Sequence, residues 1–451
     1  MTQAAQGTAP LARLPDGGWS LALVLVGVYL WALIATPQYR FDILATLHYE
    51  KLLVAAAWLS LLLAGRVQAR LSTTSGLLLL LYLFMWVSHL FSPYPQTADA
   101  QWWVSTYWKL LLFYFLVLFT VSGVRDVQRL FAALVVVSLL YQLHSWLDFV
   151  QGGAYVWQQG VRRIIGVWSA SGMGAPNAFG MLALFTLPFA LAWRDVSTGA
   201  WLRRALLGGA LLCAASILFS GTRAALAGLI FYLLLRYGRA LARPAVLMGL
   251  ALVGVLALAA LPTDMRLRYL SLVMDVEQLE RPAEELASAS AQSRLQGLRD
   301  GVALGFQRPL LGYGPGASAA ARAERLPGEQ WLDIEGEALQ LHNLYGQLMA
   351  EGGLPGTLLA VLLMLHVLGS LRRLRRDADP LTAHWAGALM LGVLVFMFYG
   401  LASHTLYRFH WLLLFAAQAA LVGAWRRASV PAGTPPAGLA GVARALARPR
   451  G

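Results

Sequence analysis

Cysteine, lysine and charge are what this sequence has least of. Its single cysteine, Cys213, stands inside an apolar run. That excludes a disulfide framework and a thiol metal site, and Cys213 reads as a small buried apolar residue. Lysine occurs twice, at Lys51 and Lys109, against 33 arginines. The arginines are scattered between apolar runs, so the net charge of +13 builds no basic face and no nucleic acid is expected as a partner. Charged residues make up 13% and apolar residues 58%, where a soluble domain carries about 25% charged. The apolar runs almost lack carboxylates: Asp148 lies near the end of one and Glu351 just before another. Ion-coupled transport needs intramembrane Asp or Glu and often repeated halves, and the sequence has neither. No Gly-rich run matches a P-loop, so ATP use has no support.

What the chain does have is a succession of apolar runs of about 15–22 residues, the length that spans a hydrocarbon core at 1.5 Å per helical residue. The runs are continuous rather than alternating, which excludes a β-barrel. The expected fold is therefore an all-α polytopic membrane protein. Twelve spans are expected, near 19–36, 48–65, 73–91, 104–121, 129–150, 175–193, 204–220, 223–236, 244–261, 353–371, 381–402 and 406–425. The first is long enough to remain as an anchor rather than a cleaved signal. The break at Ser220-Gly221-Thr222 is the least marked; one long helix there would put neighbouring arginine groups on opposite sides.

Alternate junctions hold the basic residues unequally. One side collects Arg66, Arg70, Arg125, Arg129, Arg194, Arg203, Arg204, Arg236, Arg239, Arg243, the group at 372–376, Arg13 and five C-terminal arginines. By the positive-inside rule that side is cytoplasmic and holds both termini. Residues 1–18 and 426–451, rich in Ala, Pro, Gly and Arg, are expected to be disordered cytoplasmic tails. Between them lie nine spans in 19–261, a long outward loop at 262–341, and a boundary helix with three more spans in 342–425. The loop holds 12 of the chain's 22 acidic residues. Helical patterning is expected at 265–279 and 293–306, followed by turns at Arg308-Pro309-Leu310-Leu311-Gly312-Tyr313-Gly314-Pro315-Gly316.

The outward side still keeps arginines: Arg162 and Arg163, Arg223, and Arg294, Arg299 and Arg308 in the loop. An arginine near lipid costs about 2.5–3.5 kcal/mol on insertion scales. A planar five-donor fork suits phosphate oxygens, so a lipid-linked diphosphate would offset that cost; snorkelling or acid-paired arginines are the other reading. His342 closes the loop at the membrane boundary, and an imidazole with an ordinary pKa near 6.5 suits proton abstraction from a hydroxyl; a structural histidine is the alternative. His89, His404 and His410 lie near outer ends, yet no motif has metal-ligand spacing, and no metal or other cofactor is expected.

Taken together these segments resemble a known family. Phe219-Ser220-Gly221-Thr222-Arg223 resembles the S-x-[ST]-R segment of the O-antigen ligase and polymerase superfamily. Ser293-Arg294-Leu295 followed by the Arg308–Gly316 string is similar to its R…hPLLGxGxG stretch. His342-Asn343-Leu344-Tyr345 with Glu351-Gly352-Gly353-Leu354-Pro355-Gly356 resembles its HNxxL…E-x-G signature, and Gly174-Ala175-Pro176-Asn177 an upstream G-x-PN element. The resemblance implies a metal-independent glycosyltransferase of GT-C-like architecture in the bacterial inner membrane, with a periplasmic active site. It would move a glycan from undecaprenyl diphosphate to an acceptor hydroxyl. Carried onto this chain, His342 would be the general base or an acceptor-positioning residue, and Arg223 and Arg294 would bind the diphosphate and stabilise the leaving charge. Arg162, Arg163, Arg299, Arg308, Asn177, Asn343 and Tyr313 are expected around the substrate. Length and a single large loop favour an O-antigen ligase acting on a lipid A–core acceptor. An O-antigen polymerase with a second lipid-linked glycan as acceptor comes next, ahead of a protein O-glycosyltransferase or a lipid-linked glycan transporter.

Overall fold

The computed structural model describes residues 18–67, 71–158, 160–168, 173–270, 281–326 and 338–429, with side chains excepted at 281–293. The expectations for the tails, and for the loop at 271–280 and 327–337, lie outside the described residues. The chain is a helical bundle. Its helices are α1 Leu21–Ala35, α2 Asp42–Thr46, α3 Tyr49–Leu63, α4 Thr73–Leu90, α5 Ala98–Thr120 and α6 Val124–Val150. They continue with α7 Pro176–Val196, α8 Ala200–Phe219, α9 Arg223–Leu241, α10 Pro244–Ala259, α11 Thr263–Leu270 and α12 Arg281–Gln307. The last four are α13 Ser318–Arg325, α14 Leu344–Asp377, α15 Pro380–Gly400 and α16 Phe409–Ser429.

A helix stands at each of the twelve expected spans. Among the described residues eight are long and apolar enough to cross a membrane: α4 to α9, α14 and α15. Helices α1 and α10 are apolar but only 15 and 16 residues long. At the centre stands α7, buried almost throughout; α10 buries no residue at all, as befits a helix surrounded by lipid. Several elements differ from expectation; α5 and α6, for example, begin earlier, at Ala98 and Val124. The run ending at 236 continues as helix to Leu241, because Arg239, Ala240 and Leu241 favour helix as well as the apolar residues before them. The helix expected at 293–306 begins earlier, at Arg281. An antiparallel hairpin, β1 Tyr155–Gln158 and β2 Val161–Ile164, corrects the purely helical expectation; strands this short carry too little alternation to declare themselves.

The chain ends of these helices sort the arginines. At one end Arg66 donates to the Thr120 carbonyl (3.5 Å), Arg427 to that of Ser122 (3.2 Å), and Arg236 pairs with Asp195. The hairpin, the α8–α9 turn, α11 to α13 and the start of α14 gather at the other. The turn between α8 and α9 is sharp because Gly221 adopts φ +61°, a conformation open to glycine.

Candidate active site at the start of helix 14

Helix α14 starts with a fixed geometry. The Asn343 side chain caps it, accepting from the backbone N–H groups of Tyr345 and Gly346 at 3.0 Å each, a favoured capping residue. The same side chain donates to the Leu401 carbonyl at 2.7 Å, which ties this helix to the segment 401–408 between α15 and α16. Further along, Gly353 breaks the helix with φ +60°, and Leu354 N–H donates to the Pro309 carbonyl at 2.8 Å. The first turns, 344–353, are therefore a buried half-helix. Within it Glu351 is fully buried and accepts from Ser318 (2.7 Å), Gln347 (3.1 Å) and the Tyr407 hydroxyl.

Helix α12 lies directly on this half-helix. A Cβ at Gly297 would fall on the Leu341 carbonyl, one at Gly301 on the Gly346 backbone and one at Gly305 on Met349. Glycine every fourth residue thus lets two backbones touch. A buried pair between Asp300 and Arg322 (2.7 Å) fastens α13 to the same helix. This seating brings Arg294 beside His342.

His342 is held at φ +49°, a left-handed conformation that costs a non-glycine residue roughly 1 kcal/mol and is concentrated at functional positions. Its side chain is reachable by water yet densely surrounded by protein, as expected of a group lining a recess. Its Nδ1 lies 3.1 Å from His404 Nδ1. Burial, then the charges of Arg294 and Arg322, push the His342 pKa down to about 4.

Arg294 is the pivot. Its charge acts on His342 on one side and on Arg268 and Arg163 on the other. Burial holds its pKa below the ordinary guanidinium value, and among the described residues it makes no hydrogen bond or ion pair. Arg223, the first residue of α9, donates to the Arg268 carbonyl at 3.2 Å. Arg268, buried on α11, donates through Nε to the Gly221 carbonyl at 2.9 Å. Burial, followed by the Arg223 charge and with Arg294 adding to it, pushes Arg268 down to about 10. The three guanidinium groups stay protonated at neutral pH, so the site concentrates cationic charge that a bound anion would relieve.

The other expected residues divide differently. Arg163 sits in β2 with its fork engaged by protein: Ser220 carbonyl (2.7 Å), Gln158 (2.8 Å), Asn177 (2.8 Å) and Thr222 (3.3 Å). It pins the hairpin to α7 and the α8–α9 turn, and Asn177 is one of its partners rather than an open amide. Arg162 points to the opposite face of the strand, as period-2 geometry requires. There it stacks on Phe149 and Tyr155 (4.6 and 4.2 Å) and donates to the Phe149 carbonyl at 3.1 Å. Arg299 follows Gly297 by two residues, about 200° around the helix, so it is exposed on the face away from α14. Arg308 is about 21 Å along from Arg294 and donates to the Phe91 carbonyl at 2.9 Å. Tyr313 is buried, with its hydroxyl on Gln307 at 2.8 Å, and Asn343 is consumed by capping. Arg163, Asn177 and Asn343 thus build the site's frame and Arg162, Arg299, Arg308 and Tyr313 are turned elsewhere, whereas His342, Arg223 and Arg294 are brought together.

Two members were not placed in the site by sequence reasoning: Arg268, which it did not single out, and His404, which it weighed only among the histidines near outer ends. Arg268 had a signal: it shares the buried face of α11 with Met265 and Tyr269, which cluster with Leu261 just before the helix, and an arginine on an apolar stripe asks for an explanation. His404 stands in a short junction whose position beside His342 depends on tertiary ties alone.

Residues 208–361 match the O-antigen ligase family, a stretch that includes Arg223, Arg268, Arg294 and His342 and stops short of His404. Residues 11–196 match a family of unknown function. No curated protein matches the chain.

Proposed function

We propose, on the match of residues 208–361 to the O-antigen ligase family, whose members are glycosyltransferase-like enzymes of O-antigen assembly, that the chain is a lipid-diphosphate glycan ligase. It takes O-polysaccharide from undecaprenyl diphosphate and joins it to a sugar hydroxyl of a lipid A–core acceptor at the periplasmic face of the bacterial inner membrane. The observation that carries this reading is Arg294, a half-buried guanidinium with no hydrogen bond or ion pair among the described residues, whose charge bears on His342 and on the arginines Arg223 and Arg268. A displacement at an anomeric carbon requires that combination: a base on the side of the attacking hydroxyl and cations on the side of the leaving diphosphate.

In this scheme His342 takes the proton of the acceptor hydroxyl as its oxygen forms a bond to the anomeric carbon. The bond from that carbon to the diphosphate oxygen breaks, and its electron pair leaves with the diphosphate. Arg223, Arg268 and Arg294 stabilise the charge that develops there. Attack opposite the leaving group inverts the anomeric centre. The leaving group is already activated, so no nucleotide or metal enters the scheme.

Purified protein supplied with lipid-diphosphate glycan and lipid A–core should yield their conjugate on a gel. Lengthening of the glycan alone would instead identify an O-antigen polymerase. The pH dependence follows from the histidine. Only neutral His342 accepts a proton, and burial with the neighbouring arginines lowers its pKa to about 4. The acid limb of kcat/KM, which reports the free enzyme, should therefore fall well below the ordinary value near 6.5. The limb of kcat should lie at higher pH, because bound diphosphate offsets the arginine charges.

A further inference from the structure

The contact between His342 and His404 joins two Nδ1 atoms, at 3.1 Å with ring centroids 5.0 Å apart. A hydrogen bond between two such atoms needs one proton and one lone pair, so the two imidazoles hold complementary tautomers. With the proton on His342 Nδ1, its Nε2 carries a lone pair and can take a proton. With the proton on His404 Nδ1, His342 Nε2 carries a hydrogen and is a donor only. Which of the two is present decides whether His342 is a base.

The rings are held together from both sides. Asn343 donates to the Leu401 carbonyl at 2.7 Å, the Tyr345 hydroxyl to the Met397 carbonyl at 3.0 Å, and the Tyr407 hydroxyl to buried Glu351. The left-handed backbone at His342 adds to the constraint. Around His342 the charged groups are Arg294 of α12, Arg322 of α13 and His404 itself. Around His404 they are His342 and Arg408. The neighbours in both sets are cations or imidazoles. With several positive charges close by, two neutral imidazoles are favoured over a charged pair.

We propose that His404 is a positioning residue that accepts a hydrogen bond from His342 Nδ1–H and so leaves His342 Nε2 free as the base. This rests on the glycosyl-transfer reading above. A neutral orienting partner suits this recess. A carboxylate in its place would hold the same tautomer, yet would put negative charge beside the site of a diphosphate and tie up the arginines meant for it. When Nε2 takes the hydroxyl proton, the new imidazolium keeps its Nδ1–H on the His404 lone pair, which stabilises the charge as it forms.

The test has two parts, one free of turnover. Protein labelled with ¹⁵N-histidine in detergent, with His342 and His404 signals assigned by their loss in His342→Asn and His404→Asn, reports each tautomer without substrate. The proposal expects the proton on His342 Nδ1 and on His404 Nε2; the reverse pattern overturns it whether or not the protein transfers glycan. In the transfer assay, His404→Ala should lower kcat on the order of 10²-fold with KM for the lipid donor within about twofold of wild type. His404→Asn, whose side-chain oxygen can accept from Nδ1–H, should recover most of that loss, and His404→Asp should move the acid limb of kcat/KM to higher pH. Wild-type kcat in His404→Ala, or no recovery in His404→Asn, contradicts the assignment. So does loss of wild-type activity in a chelator that zinc restores, which would make the pair metal ligands. A chain that shows the expected tautomers but transfers nothing would fault the glycosyl-transfer reading and leave the tautomer assignment intact.

Discussion

Alanine in place of His342 is expected to leave the fold intact and to remove glycan transfer. The imidazole reaches solvent and among the described residues makes one hydrogen bond, to His404, so its removal opens no cavity in the core. The backbone remains held by the Asn343 cap and by Leu341, which is buried beneath α12. Stability should change by less than about 0.5 kcal/mol, the usual range for a substitution outside the core. Catalysis loses its proton acceptor, a role worth on the order of 10²–10⁴-fold. A thermal melt in detergent and a transfer assay on the same preparation separate the two effects. Unaltered transfer would remove His342 from the chemistry; a collapse of the melt would assign it to structure.

The second large effect is expected from a residue that touches no substrate. Gly297→Ala places a Cβ on the Leu341 carbonyl, and Gly301→Ala places one on the Gly346 backbone. Backbone cannot swing aside as a side chain does, so α12 must lift from α14. Overpacking of this kind costs about 1–3 kcal/mol. Because Arg294 rides on α12 and His342 sits at the start of α14, the shift separates cation from base, and a displacement of about 1 Å can cost on the order of 10²-fold in rate. Transfer should fall by at least that much in both variants. Gly249→Ala on α10, where an added Cβ meets nothing within 4 Å, should be neutral in both measurements. Full activity in Gly297→Ala would mean that the register of these two helices does not set the site.

Much of the scaffold could be read before the fold was known, because long apolar runs leave helix as the available membrane-spanning conformation. The break at Gly221 was visible for the same reason, as polar residues and a glycine interrupting an apolar stretch. The hairpin was not visible, since four residues such as Val161-Arg162-Arg163-Ile164 carry no period that outweighs their surroundings. Half of the site was legible. Local patterns around His342, Arg223 and Arg294 marked them as unusual on an otherwise apolar face. What sequence could not separate was an arginine with no hydrogen bond among the described residues from one whose fork is engaged. Arg163, Arg162 and Arg308 look like Arg294 in a string of letters. Their partners are carbonyls and rings up to some 200 residues away in the chain, as Phe91 is for Arg308. The same distance in sequence hid His404, which lies 62 positions from His342 and meets it through the Asn343–Leu401 clasp.

The central claim is that one recess holds both the base and the diphosphate cations of a glycosyl transfer. It is tested most directly by release of undecaprenyl diphosphate from lipid-linked glycan, measured with and without lipid A–core, in wild type, His342→Ala and Arg294→Ala. Acceptor-dependent release matched by conjugate formation in wild type, with neither in the two variants, is the predicted result. Acceptor-dependent release at the wild-type rate in either variant would contradict it.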